Sequence, residues 1–359
     1  MLKLVGIRLI KKIGIVGGGI SGLVTAIFLA REGYKVSIFE KNFLLSETSS
    51  KTTKLLHGGL RYLENFHFKE VKNGLNDRHW WLKNFPQHTN KIKISIPFVN
   101  LISLDLLKFF FGVKLYALLA GSKSLGNSKL SLIKKNSDNV LNNNYKLELS
   151  FFDGVMDDTL LGKDLIKQAK QLDIDIFENH EISSFDINGK VDEQYFDNII
   201  LAVGPWTKIL LQKNNIKSLR DIDYIKGSHL ILNKQIKSGI MFTGICNSRY
   251  IFALPFKGLT LLGTTEERVE SPENPSIDLS EENYLLESFN SILKNPIIKK
   301  DILSSYSGVR PLIKEGKNSH KASRDFFIQK NKRLISIFGG KWTTAPSIAR
   351  KIVTIINNE

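Results

Sequence analysis

Apolar residues recur in short β-branched runs at the start, middle and end of the chain, each run closed by glycine. Ile13, Ile15 and Val16 predict a strand, Gly17-Gly18-Gly19-Ile20-Ser21-Gly22 a tight turn, residues 23–32 a helix stopped by Gly33, and residues 35–40 (KVSIFE) a second strand. This is one βαβ unit. A second recognisable unit closes the chain, with residues 334–338 as strand, Gly339-Gly340 as turn and residues 343–356 as helix. Pro346 is tolerated there because it falls in the first helical turn. Residues 197–203 (DNIILAV) read as a further buried strand that ends in Gly204-Pro205-Trp206. Between these segments the period changes. Asn188-Gly189, preceded by Ser-Phe-Asp-Ile and followed by Val191, is the strongest hairpin signal and makes that crossover a small β ribbon. Residues 250–265 alternate apolar positions around Lys257-Gly258 and predict a hairpin of a separate antiparallel sheet. The fold class expected is α/β, a Rossmann-like doubly wound domain interleaved with an antiparallel-sheet (α+β) domain.

Composition narrows the setting. A chain of 359 residues, 42% of them hydrophobic, can fill about two cores, which excludes a disordered or fibrous protein. With 51 Lys+Arg against 35 Asp+Glu the net charge is +16, so a phosphorylated substrate, a membrane surface or nucleic acid becomes a candidate partner. The basic residues are spread along the chain, and surface solvation takes the larger share. No basic helix or aromatic stacking module stands out, so nucleic acid is not an expected partner. The single cysteine, Cys246, excludes an intrachain disulfide framework and a thiolate metal cluster, and no metal site is expected. Cys246 itself reads as a small buried or half-buried residue in a reducing, cytoplasmic protein. At the start, Lys3 and Arg8 break the apolar run, which argues against a signal peptide. Residues 101–120 (LISLDLLKFFFGVKLYALLA) are interrupted by Asp105, Lys108 and Lys114 and do not span a membrane. They predict an imperfect amphipathic helix, suited either to a membrane interface or to packing on its own domain.

Six motifs carry candidate chemistry. Gly17-x-Gly19-x-x-Gly22 between strand and helix, with Glu40 closing the next strand, is the spacing of a dinucleotide site. Glycines admit a pyrophosphate to the helix N-terminus, while Glu40 accepts from an unphosphorylated ribose. Directly after it, residues 48–62 (TSSKTTKLLHGGLRY) supply hydroxyls, a Gly-Gly pair and Arg61, whose fork suits a phosphate or carboxylate. The other four are Lys226-Gly-Ser-His229, residues 306–312 (YSGVRPL), Ser323-Arg324-Asp325 and residues 339–344 (GGKWTT). Taken singly, each cation among them reads more simply as a salt-bridged surface residue.

As an ordered set, TSSKTTKLLHGGLRYLE, DGVMDD, AVGPW, KGSHLIL, LLGTTEE, YSGVRPL, SRDFFI and FGGKWTT closely resemble the FAD-dependent glycerol-3-phosphate dehydrogenases, within the D-amino-acid-oxidase-like flavoprotein superfamily. The resemblance runs from about Lys12 to the C-terminus. It implies an FAD-binding domain over residues 1–85, 150–215 and 326–359, and a substrate or cap domain over 86–149 and 216–325. It further implies FAD held at Gly17, Gly19, Ser21, Gly22 and Glu40, with the flavin near Thr48, Ser49, Ser50, His57, Gly58 and Gly59. Ala202, Gly204, Trp206, Gly340, Lys341 and Thr343 would complete the cofactor site. Glycerol 3-phosphate would meet Arg61, Tyr62, Arg310, Arg324 and Lys341, and lose hydride from C2 to flavin N5 as dihydroxyacetone phosphate forms.

His229 is the expected general base, an imidazole being readily tuned to near-neutral pH, with His57 and Arg310 as competing candidates. Electrons would pass to quinone, with the protein expected to be cytoplasmic and peripheral attachment to the inner face of the cytoplasmic membrane left open. Alternatives left open are a related flavoenzyme for a 2-hydroxy acid or an amine, an oxidase, and a non-catalytic flavin-binding protein. Two departures stand out. The family's helical C-terminal domain is expected to be absent beyond Glu359, and Ala345-Pro346 replace the family's usual Tyr and Arg.

Overall fold

The computed structural model describes residues 10–133, 140–246, 249–314 and 326–359. The reading of residues 1–9 and the candidate site at Ser323-Arg324-Asp325 lie outside the described residues, as does the Arg61 side chain. In chain order the first elements are β1 (Lys12–Val16), α1 (Ile20–Arg31), β2 (Lys35–Phe39), β3 (Leu55–Leu56), α2 (Phe68–Asn84), β4 (Thr89–Phe98), α3 (Leu104–Ala120), β5 (Lys129–Leu132) and β6 (Leu147–Met156). The middle carries α4 (Asp158–Gln171), β7 (Asp175–Phe177), β8 (Lys190–Val191), β9 (Gln194–Tyr195), β10 (Asn198–Leu201), α5 (Thr207–Lys213), β11 (Ile222–Leu232), β12 (Gly239–Thr243), β13 (Tyr250–Phe256) and β14 (Leu259–Gly263). The chain closes with β15 (Glu267–Val269), α6 (Leu279–Asn290), β16 (Ile302–Ile313), β17 (Phe326–Asn331), β18 (Leu334–Gly339) and α7 (Ala345–Asn357). It divides into two compact units: Met1–Ser50, Gly162–Asp223 and Pro311–Glu359 form the first, Lys51–Leu161 and Tyr224–Arg310 the second.

The first unit is built on a six-stranded sheet of order β17-β18-β10-β1-β2-β7, parallel except for the β17–β18 hairpin. Its central strands are nearly continuous apolar runs and almost wholly buried, as parallel strands covered on both faces must be. β1 pairs with β2 on one side and with the much later β10 on the other. The C-terminal end of β1 is therefore a point where the winding direction switches, the usual place for a ligand crevice. α7 buries Ala345, Ile348, Ala349, Ile352 and Ile356, a stripe at three- to four-residue spacing, and packs on α1. Its first turn contains Pro346, as expected, although it begins at Ala345 after a 3₁₀ turn at Trp342–Thr344. The Asn188-Gly189 turn is formed, with Gly189 at φ +103° and an isolated bridge between Phe185 and Val191. Its second strand, β8, turns back at once to pair with β9.

The second unit carries a ten-stranded sheet, β15-β11-β14-β13-β12-β4-β6-β3, with β16 added on β11 and β5 on β6. Neighbours along that path are antiparallel except where β12 runs parallel to β4. The hairpin predicted at Lys257-Gly258 joins β13 to β14, and both turn residues take positive φ as that tight turn requires. One core gathers Leu230, Leu232, Phe242, Ile251, Leu285 and Phe289 under α6. A capping box between Asp278 and Glu281 starts that helix. A second core forms around Ile94, Leu149, Phe151 and Leu254 and receives Leu106 and Val113 of α3. Cys246 departs from expectation: it is exposed, in the turn after β12, where no strand or helix covers it.

Candidate active site

In the first unit the turn after β1 is shaped by close backbone approach. A Cβ on Gly22 would lie 2.0 Å from the Gly17 carbonyl oxygen, and one on Gly17, itself at φ +103°, 2.6 Å from the Ala202 oxygen. Both positions therefore exclude every other residue. α1 has Gly19 as its N-cap, which offers no side-chain cap, and no acidic residue in its first turn, so its positive end suits an anion. The Glu40 carboxylate accepts from the backbone N–H of Gly18 at 2.7 Å and of Asn42 at 2.9 Å. These two bonds fix it beside the glycine turn. The resident group implied here is a dinucleotide, and the glycine cradle, the helix N-terminus and the fixed carboxylate fit it.

The hydroxyl turn and the closing segment join the same cradle. Ser49 Oγ accepts from the Ile20 N–H at 3.0 Å, and its carbonyl accepts from Trp342 Nε1 at 2.8 Å. Ser50 donates to the Ser46 and Glu47 carbonyls, which commits its hydroxyl to closing the Thr48–Ser50 turn. A Cβ on Gly340, at φ +88°, would come within 3.6 Å of Ser21 Oγ. Thr344 Oγ1 accepts from the Lys341 N–H at 3.1 Å, and Thr343 is buried beside it. Gly204 also has positive φ, and its carbonyl accepts from Thr207 Oγ1 at 3.0 Å, which shapes the turn that carries Trp206. The structure thus links Gly17, Gly19, Ser21, Gly22, Glu40, Ser49, Ala202 and Gly340 through direct neighbours.

In the second unit, strand alternation sorts the Lys226-Gly-Ser-His229 motif onto two faces. Lys226 Nζ lies 2.6 Å from Glu267, 3.1 Å from Glu281 and 3.3 Å from Asp278, which hold its pKa above the ordinary lysine value despite burial. Ser228 donates to Glu281 and meets Ser307 at 2.7 Å. Lys226 is thus a salt-bridged cation. Gly227 and His229 face the other way. A Cβ on Gly227 would fall 2.1 Å from an Arg310 guanidinium nitrogen, and that guanidinium donates to the Thr265 carbonyl at 2.9 Å. His229 is buried, stacked on Tyr306 at 4.9 Å, with Nε2 2.9 Å from Thr53 Oγ1. Burial first, then the Arg310 and Lys54 charges, lower its pKa to about 3. The near-neutral imidazole expected from sequence is corrected accordingly: the side chain is neutral across the physiological range because it is desolvated among cations.

Three residues of this cluster escape sequence reasoning as site residues: Thr53, Lys54 and Tyr306. The buried Lys54 ammonium pairs with Asp158 at 2.5 Å and lies 5.3 Å over the Tyr306 ring, whose hydroxyl donates to the Thr52 carbonyl. Burial, reinforced by Asp158, pushes the Tyr306 pKa up and keeps it a phenol. The signal was present, since all three sit inside the TSSKTTKLLH and YSGVRPL motifs, but nothing local ties these segments to each other. His57 is half-buried next to Gly58 and Gly59. Gly58 donates its N–H to Tyr116 Oη at 2.7 Å, Gly59 has φ +82°, and a Cβ there would fall 2.4 Å from the Tyr62 ring. Behind this turn Tyr116 donates to Asp153 at 2.9 Å, and Asp153 accepts from Arg78 at 3.0 Å. The structure therefore groups His229 with Arg310, and Gly58 and Gly59 with Tyr62.

The aerobic glycerol-3-phosphate dehydrogenase of Bacillus subtilis (strain 168) is 30% identical over 96% of this chain and 66% of its own. The D-erythritol 1-phosphate dehydrogenase of Brucella abortus (strain 2308) is 30% identical over 94% of this chain and 72% of its own. The chain spans about 59% to 66% of the length of the curated relatives first matched. Among solved structures, L-alpha-glycerophosphate oxidase from Mycoplasma pneumoniae, with FAD bound, superposes with a TM-score of 0.77, 20% identity, and coverage of 97% of this chain and 94% of that one. Residues 12–354 match the family model of the FAD dependent oxidoreductases (DAO), and the chain belongs to that family, whose cofactor is FAD.

Proposed function

We propose that the chain oxidises sn-glycerol 3-phosphate at C2 to dihydroxyacetone phosphate. The observation that carries this reading is the second unit's pairing of a buried neutral imidazole, His229, with the Arg310 guanidinium across adjoining strands. One group can accept a hydroxyl proton, and the other can hold an anionic handle that positions the reacting carbon. Bound FAD would supply the two-electron oxidant. In this reading Arg310 holds the phosphate, and His229 takes the C2 hydroxyl proton. A phosphate dianion would neutralise Arg310 and so relieve one of the two charges that hold His229 low. The first unit would hold FAD and the second the substrate. Names of the relatives support a polyol phosphate as the substrate class.

The electron acceptor in this reading is a quinone, reached from a membrane surface. α3 supports it. This helix buries Leu106, Val113 and Tyr116 but leaves Leu104 86%, Phe111 66% and Leu118 75% exposed, with Leu107 beside them and Lys108 and Lys114 on the same helix. An apolar outer stripe flanked by lysines suits the headgroup boundary of an anionic bilayer. Among the described residues no helix is long and apolar enough to cross a membrane.

A longer polyol phosphate is the second reading, favoured by the match to the erythritol-phosphate enzyme. Steady-state turnover with a soluble quinone analogue separates the two. Glycerol 3-phosphate should give the higher kcat/KM and dihydroxyacetone phosphate as product, with glycerol and lactate inert. Equal turnover of glycerol would refute a phosphate handle, and a higher kcat/KM for erythritol phosphate would reassign the substrate.

A further inference from the structure

Thr53 and His229 meet in the second unit as a polar pair with one atom left over. Thr53 Oγ1 lies 2.9 Å from His229 Nε2, whereas Nδ1 is buried without a hydrogen-bond partner among the described residues. The ring cannot turn easily. Tyr306 stacks on it with planes 21° apart, and a Cβ at Gly263, its register partner on β14, would fall 2.3 Å from Cδ2. Tyr306 is in turn anchored by its bond to the Thr52 carbonyl and by the Lys54 ammonium over its face.

A neutral imidazole carries one proton, and its two tautomers leave different groups unpaired here. If Thr53 donated to Nε2, the proton would sit on Nδ1 as a buried donor without an acceptor, an arrangement that folded proteins rarely keep. If Nε2–H donates to Thr53 Oγ1, Nδ1 keeps a lone pair, which a substrate hydroxyl can fill. The surrounding charges agree. Arg310 and Lys54 are the cations acting on the ring, the latter paired with Asp158, and both disfavour a second proton.

We propose that Thr53 holds His229 as the Nε2–H tautomer and so makes Nδ1 the atom that takes the substrate's hydroxyl proton. Thr53 is then a positioning residue. On oxidation the O–H bond at C2 breaks and its proton goes to Nδ1, while the C2–H bond breaks and the hydrogen would leave with its electron pair to the FAD oxidant, so that the C2–O bond becomes a carbonyl. The base role rests on the substrate assignment above; the tautomer does not.

The test uses holoenzyme labelled with ¹⁵N in its histidine side chains, with His229 assigned by comparison with His229→Gln. Wild type should show a protonated Nε2 and an unprotonated Nδ1 at neutral pH. Thr53→Val should reverse or mix the two and slow anaerobic flavin reduction by glycerol 3-phosphate about 10- to 100-fold, a part of the usual general-base factor. Thr53→Ser should restore both readouts, with FAD content constant across the set. An Nδ1–H tautomer in wild type overturns the proposal. So does an unchanged tautomer, or a reduction rate within about twofold of wild type, in Thr53→Val. If glycerol 3-phosphate fails to reduce the wild-type flavin, the substrate assignment falls, and the NMR measurement still decides the tautomer.

Discussion

Removing the Arg78 charge should unfold the second unit more effectively than removing the whole ion pair. Arg78 and Asp153 are both buried, 3.0 Å apart, and Arg78 also donates to the Lys123 carbonyl and lies over the Tyr116 ring. Burial raises the Asp153 pKa, an effect that Arg78 and the hydrogen bonds from Arg78, Tyr116 and Gly154 oppose. Arg78→Met leaves that carboxylate desolvated without its counter-charge, which costs about 3–5 kcal/mol in comparable buried pairs. For a unit of this size that corresponds to a fall of roughly 6–20 °C in Tm. Arg78→Met/Asp153→Leu removes both charges and should recover a large part of the loss, because the desolvation penalty goes with them. Tyr116→Phe should cost less, about 1–3 kcal/mol, by stripping the acceptor from the buried Gly58 N–H. Differential scanning calorimetry on the four holoproteins, with FAD content measured in each, gives the ordering. A double variant less stable than Arg78→Met, or an Arg78→Met Tm within about 2 °C of wild type, would refute the argument.

Gly22→Ala places a methyl carbon 2.0 Å from the Gly17 oxygen and should abolish FAD retention on purification, while Gly112→Ala, with open space around its Cβ in α3, should raise stability by up to about 1 kcal/mol. FAD content and thermal unfolding read both; retained flavin in Gly22→Ala would contradict the cradle. His229 titrates near 3 in the fold against 6.5 ordinarily, so the unfolded chain takes that proton first as pH falls. Its contribution to stability is therefore full above about pH 6.5 and declines toward pH 3, and His229→Asn should flatten this slope of Tm against pH. Equal slopes in the two proteins would show that His229 is not buried as a neutral ring. Leu107→Glu/Phe111→Glu should release the protein from anionic vesicles at salt concentrations where wild type still pellets, and equal pelleting would place the contact elsewhere.

Sequence made the first unit legible because its signals are local. A β-branched run, glycines at fixed spacing and an acid one strand later report on neighbours within the same 30 residues. The paired strands β4 and β6 did not report themselves. Their partners are 49 to 67 residues apart, and lysines at 91 and 93 blur the apolar alternation. His229 and Arg310 were reached through resemblance, and what sequence hid was the environment. Neither the pKa near 3 nor the face that separates His229 from Lys226 can be read without the strands on either side. Tyr116 shows the same limit, since an apolar helix gave no sign that one hydroxyl closes a network with Gly58, Asp153 and Arg78. Cys246 errs in the opposite direction, because a small apolar residue next to a strand pattern is usually covered, and here the strand ends at Thr243.

An anaerobic titration of the purified flavoprotein with glycerol 3-phosphate, followed by flavin absorbance with glycerol and lactate as controls, tests the central claim most directly. Bleaching of the oxidised flavin by glycerol 3-phosphate alone, and its loss in Arg310→Ala at the same FAD content, is the predicted result. A flavin that stays oxidised with glycerol 3-phosphate, or that glycerol bleaches equally well, would contradict it.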